Sequence, residues 1–135
     1  MIEKFTRTFH PVGQGAFYTE KIITENSTYN IVYDCGSITW KSNSRAKGDK
    51  LQKYINNTFR KDEVVDLLFI SHFHYDHING LEFLRDRCQV KKVIMPLLDS
   101  ETKILARISL MIENGDTSII DDPQSYFGNR TQITQ

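Results

Sequence analysis

The sequence predicts an α/β fold, a mixed sheet with helices packed on it. Three observations carry this reading. Alternating stretches near the amino terminus read as hairpin-linked strands. A continuous apolar run, Asp66-Leu67-Leu68-Phe69-Ile70, reads as a buried parallel strand. After it, Ile78, Leu81, Leu84 and Cys88 recur at helical spacing, and Val93-Ile94-Met95 reads as another short strand between Val90 and Pro96. Strand, helix and strand in that order imply a parallel pair joined by a right-handed crossover.

The first strand is expected over Phe5–His10, where apolar and polar side chains alternate although Arg7 breaks the apolar phase. Pro11 stops it, and Val12-Gly13-Gln14-Gly15 makes a tight turn. Ala16–Thr24 is a second strand and Thr28–Asp34 a third, carried by Tyr29, Ile31 and Tyr33, so the sheet starts antiparallel. The polar stretch Ser37–Lys50 reads as a loop. Its Trp40, Lys41, Arg45 and Lys47 are candidates for substrate contacts, or equally parts of a solvated connector. From Asp49 a helix places Leu51, Tyr54, Ile55 and Phe59 on one stripe, which suits packing on the sheet. A later helix is expected to be capped by Ser100, to offer Ile104, Leu105, Ile108, Met111 and Ile112 as its apolar face, and to stop at Asn114-Gly115. Residues 116–135 are polar turn formers without periodicity and are expected to be a poorly ordered tail of a single partial domain spanning 1–135.

Composition narrows the function classes. A chain of 135 residues has room for one compact domain. Seventeen Lys and Arg against seventeen Asp and Glu leave no net charge, so the electrostatic footprint of a strong nucleic-acid binder is absent. No apolar run approaches the roughly 20 residues that span a bilayer. The start, Met1-Ile2-Glu3-Lys4-Phe5, lacks a signal peptide's apolar core, so a cytoplasmic protein that does not enter membranes is expected. Cys35 and Cys88 are accordingly expected as reduced thiols, Cys88 as a small core residue.

The chemistry concentrates in Ser71-His72-Phe73-His74-Tyr75-Asp76-His77, which holds three of the four histidines. Imidazole and carboxylate are the donors that a borderline cation such as Zn²⁺ prefers. The motif leaves the carboxyl end of a buried strand, where open α/β sheets place their ligands. His10 lies apart from it and reads as a strand-end surface histidine.

His-x-His-x-Asp-His at the end of an apolar strand resembles the signature of the metallo-β-lactamase fold hydrolases. The resemblance implies the amino-terminal half of an αββα sandwich. It implies that His72 and His74 hold one metal, that Asp76 and His77 help to hold a second, and that Asp76 is the catalytic residue. Asp34-Cys35-Gly36 resembles the family's first motif, in which Asp34 would orient the metal-binding loop without touching metal. The Val12-Gly13-Gln14-Gly15 turn resembles competence-type members associated with DNA uptake and related bacterial hydrolases of uncertain substrate. A complete site would hold two Zn²⁺, with Mn²⁺ or Fe as alternatives.

The family also draws later ligands from further along the chain, and here no histidine follows His77. The expectation is therefore a metal-dependent hydrolase, a phosphodiesterase or nuclease acting on nucleic acid or a nucleotide in its full-length form. This chain would supply only the first half of the site and be inactive alone. The alternative is a catalytically incomplete metal-binding or interaction module. Either reading leaves room for a homo-oligomer or a partner chain that completes the fold.

Overall fold

A computed structural model describes residues 1–39 and 44–135, with the backbone alone for residues 44–49. Three long antiparallel strands open the chain: β1 (Ile2–Phe9), β2 (Gly15–Thr24) and β3 (Thr28–Ser37). After α1 (Ser44–Thr58) and the short β4 (Val64–Val65), the strand β5 (Leu67–Phe69) pairs with β3 in parallel. The helices α2 (Tyr75–Ile78) and α3 (Leu81–Arg87) follow, then β6 (Gln89–Val90) and β7 (Lys92–Ile94). Next come α4 (Ser100–Ile112), α5 (Ser118–Asp121), α6 (Pro123–Phe127) and β8 (Gln132–Thr134). The six-stranded sheet runs β1-β2-β3-β5-β7-β8, antiparallel across its first three strands and parallel beyond, while β4 and β6 form a small parallel pair.

Side-chain alternation sets which face is covered. Val32, Leu68 and Val93 stand in cross-strand register on the inner face and are fully buried. They share a core with Leu51 and Ile55 of α1 and Leu81 and Leu84 of α3. On the other face one row of cross-strand partners runs Phe9, Tyr18, Tyr33, Phe69 and Ile94. There Phe9 is 81% exposed and Tyr33 45%. A sheet with one covered face and one aromatic face in solvent is the half-sandwich that the fold class implies.

Several boundaries differ from the sequence reading. α1 begins at Ser44, five residues before Asp49, so part of the stretch read as a loop is helical. Trp40 and Lys41 lie outside the described residues, as do the side chains of Arg45 and Lys47. The α4 cap is Asp99, not Ser100: its carboxylate accepts from the Thr102 amide at 2.8 Å. The predicted apolar face of α4 is not buried, since Met111 and Ile112 are 64% and 74% exposed and Leu110 alone is sealed in the core. Periodicity finds such a stripe but does not say what covers it.

The stretch from Asp116 is folded, not a structureless tail. Asp122 caps α6, Arg85 of α3 donates to the Tyr126 carbonyl at 2.9 Å and lies over the Tyr126 ring, and β8 extends the sheet beside β7. Ile119, Ile120 and Tyr126 enter the core. Sparse apolar residues suffice there because each lands against a surface already formed.

Candidate metal centre

The site is built on the third strand. Between β2 and β3 the register shifts so that Tyr33 faces Tyr18 and Cys35 faces Phe17, which leaves Asp34 as the extra residue of a bulge. Its φ of 56° is left-handed, a conformation that Asp tolerates better than most side chains. A bulge re-aims a side chain, and here it turns Asp34 toward the loop leaving β5. Only 1% of Asp34 is exposed.

Three protons converge on that carboxylate. The Ser71 amide donates to Oδ1 at 2.8 Å, the Ser71 hydroxyl donates to Oδ2, and His77 Nδ1 donates to Oδ2 at 2.9 Å. Since the Ser71 hydroxyl proton is committed to Asp34, its oxygen accepts from His72 Nδ1 at 2.7 Å. Both rings therefore carry their proton on Nδ1 and present a bare Nε2 lone pair, the form in which imidazole binds metal. Ligand atoms of Asp34, His72 and His77 lie within 4.8 Å of one another.

The remaining motif residues close around this group. The His74 ring meets His72 edge-on with centroids 4.5 Å apart, and the His77 ring lies 4.2 Å from His72. Asp76 Oδ2 is 3.9 Å from His77 Nε2, near the roughly 3.3 Å that separates two ligands of one tetrahedral zinc. The donor set is all imidazole and carboxylate, which fits a divalent transition metal. The ligand atoms that converge are those of Asp34, His72 and His77, with the His74 ring beside His72 and the Asp76 carboxylate beside His77.

A backbone clamp fixes the motif on the sheet. The Asn79 side chain accepts from the Ser37 amide at 2.8 Å and donates to the Ser37 carbonyl at 2.7 Å, while the Gly80 amide donates to Cys35 at 2.8 Å. Gly36 lies against Asp76: a Cβ there would sit 2.5 Å from the Asp76 carbonyl oxygen. Gly15 of the glycine turn meets the same backbone, and its φ is 145°. The turn therefore packs against the motif, and its glycines are there for close approach.

Ser71 and Asn79 escaped the sequence reading. Ser71 borders the histidines but no spacing marks it as the link from Asp34 to His72. Asn79 follows the motif with no local signal that marks it as the clamp on Ser37. His10 is not the surface residue expected: it is half-buried, stacked on Phe17 with centroids 4.1 Å apart, and bonded to Thr19 at 2.9 Å. The two cysteines are free and buried, with the Cys88 thiol pushed up to about 12 by burial and the Cys35 thiol raised further. Both are unreactive packing residues.

Burial lowers the His72 pKa, helped by its neighbours His77 and His74, and burial also lowers that of His10. The unfolded chain, with histidines near 6.5, then binds protons that the folded chain refuses. Stability should be complete above about pH 6.5 and fall as the pH drops through that value. The metal-free chain is expected to show a lower urea midpoint at about pH 5.5 than at about pH 7.5. An equal or higher midpoint at the acidic pH would contradict this placement of the two rings.

With the geometry described, comparison with known proteins decides the family. The Metallo-beta-lactamase superfamily matches residues 22–123, most of the chain. The chain belongs to that superfamily. A curated relative, the Integrator complex subunit 11 homolog of Dictyostelium discoideum, is 31% identical over 67 residues. That alignment covers 50% of this chain and 9% of the relative, so the metallo-β-lactamase chain described here spans a small part of the curated relative's length. No solved structure matches it. The superfamily assignment accounts for the mixed sheet, for the motif at the end of β5 and for the bulged aspartate facing it. Among the described residues no helix is long and apolar enough to cross a membrane.

Proposed function

We propose that this chain carries the first half of a two-metal centre in a hydrolase, and that the complete protein cleaves phosphodiesters as a nuclease or nucleotide phosphodiesterase. The observation that carries the reading is the hydrogen-bond chain from Asp34 through Ser71 to His72 and directly to His77. It spends one proton of each ring and leaves each Nε2 aimed away from the carboxylate. His72 and His74 then hold one metal, and Asp76 and His77 the second, with Zn²⁺, Mn²⁺ or Fe all suited to the donors. When bound, such metals supply an acidified water and positive charge for the developing oxyanion. Asp34 keeps the imidazoles in the metal-binding tautomer. Asp76 brings negative charge to the second position and, beside the attacking water, can take its proton.

Because no histidine follows His77, the remaining ligands come from another segment or another chain. The name of the curated relative, a subunit of a complex, supports a protein that works within an assembly. The phosphodiester preference rests on the glycine turn, whose resemblance to competence-type members is joined by its contact with the Asp76 backbone. Alanine at His72 or at Asp76 in the complete protein is expected to lower bound zinc and hydrolysis of bis(4-nitrophenyl) phosphate by more than about 100-fold. Wild-type hydrolysis in either variant would overturn the assignment.

The aromatic row on the open sheet face favours a second reading, an interaction module that docks a partner there. In that case both alanine variants keep partner binding, and the wild type hydrolyses nothing.

A further inference from the structure

A cleft of about 400 Å³ opens directly beside the motif, between the end of β7 and α4. Its walls are Phe73, Pro96, Leu98, Leu105 and Ala106, and its rim is formed by His72 and His74. Ser71, Thr102 and Ser109 complete its lining. No Lys, Arg, Asp or Glu lines it among the described residues. Lys103 lines an adjoining cleft that shares Phe73, Pro96 and Leu98, and a separate cleft without any motif residue carries Lys21, Arg60 and Lys61 beside Asp62 and Glu63.

We propose that this cleft seats an uncharged apolar substituent, of the size of an aryl ring, on a small phosphodiester whose phosphoryl group faces His72 and His74. The inference rests on the phosphodiester reading above and gives it a substrate class. Three features select the occupant. The volume lies within the range of small-molecule sites, and such sites are apolar with a few placed polar groups. Charge complementarity favours a small substrate over a long strand at this wall, because a polyanion's track is lined by Lys or Arg and none lines this cleft among the described residues. Continuity with the metal ligands means that a group held between Leu98 and Ala106 has its polar end at the histidine rim. Removing an aryl ring from water against these side chains favours binding, while neutral hydroxyls add direction without requiring charge.

The test is titration of the chain, with zinc present, by diphenyl phosphate, dimethyl phosphate, benzoate and a single-stranded oligothymidylate, read from backbone amide shifts. Diphenyl phosphate is expected to bind about tenfold tighter than dimethyl phosphate, with shifts at Leu98, Thr102 and Ala106. Ala106→Trp fills the cleft from a half-buried helix position, and should remove that preference while the response to dimethyl phosphate stays. Equal affinity for the two phosphates, or a preference that survives Ala106→Trp with amide dispersion intact, would overturn the proposal. Tighter binding of the oligothymidylate would overturn the substrate class and keep the phosphodiester reading. Benzoate binding in the cleft without either phosphate would keep an aryl subsite and remove the phosphodiester reading.

Discussion

Asp34→Asn is expected to weaken zinc binding by about 10–100-fold while leaving His72, His74, Asp76 and His77 in place. An amide of the same shape has one accepting oxygen and no charge, so it cannot receive the Ser71 amide on one side and the Ser71 hydroxyl and His77 on the other. The Ser71 hydroxyl loses its strongest acceptor, so its oxygen is no longer held to receive the His72 Nδ1 proton. His77 loses its charge-assisted partner at 2.9 Å. Both rings become free to turn or to shift their proton to Nε2, and each alternative blocks a metal position. Zinc titration against a competing chelator measures the effect. Unchanged affinity would mean that Asp34 serves the fold alone and that the histidines orient themselves.

Gly36→Ala should be more damaging to the fold, by about 3 kcal/mol. The added Cβ would lie 2.5 Å from the Asp76 carbonyl oxygen, 2.7 Å from its carbon and 2.8 Å from Asn79 Oδ1. Two of these neighbours are backbone, and the third belongs to the side chain that clamps Ser37. None can yield without lifting α2 from β3, the contact that aims Asp76 and His77. The urea midpoint should fall with the slope unchanged, and zinc affinity should fall with it. A midpoint equal to that of the wild type would show that the motif does not rest on β3 as described.

What the sequence revealed follows from how local each signal is. β1 to β3 were legible because long alternating strands write their faces into the chain, and the turn glycines punctuate them. The motif was legible because three histidines and an aspartate at close spacing have few uses other than metal. Asp34 was suggested only by its resemblance to the family's first motif. The bulge that aims it comes from a register shift against Phe17 and Tyr18, which belongs to the pairing of two strands. Ser71 was hidden for the same reason: its two partners, Asp34 and the His72 ring, meet it only in the folded chain. Residues 116–135 defeated periodicity because α5, α6 and β8 are each one turn or a few residues long, and their order depends on neighbours. Asp99 and Ser100 are both good cap formers, so the choice between them was geometric.

Metal stoichiometry tests the central claim most directly: the chain offers an oriented half of a metal centre and needs further ligands. Zinc content of the purified 135-residue chain, measured by elemental analysis after dialysis, should be about one ion or less per chain, weakly held and lost in His72→Ala. Two tightly held ions per chain would contradict the account, because these residues would then complete the centre without help.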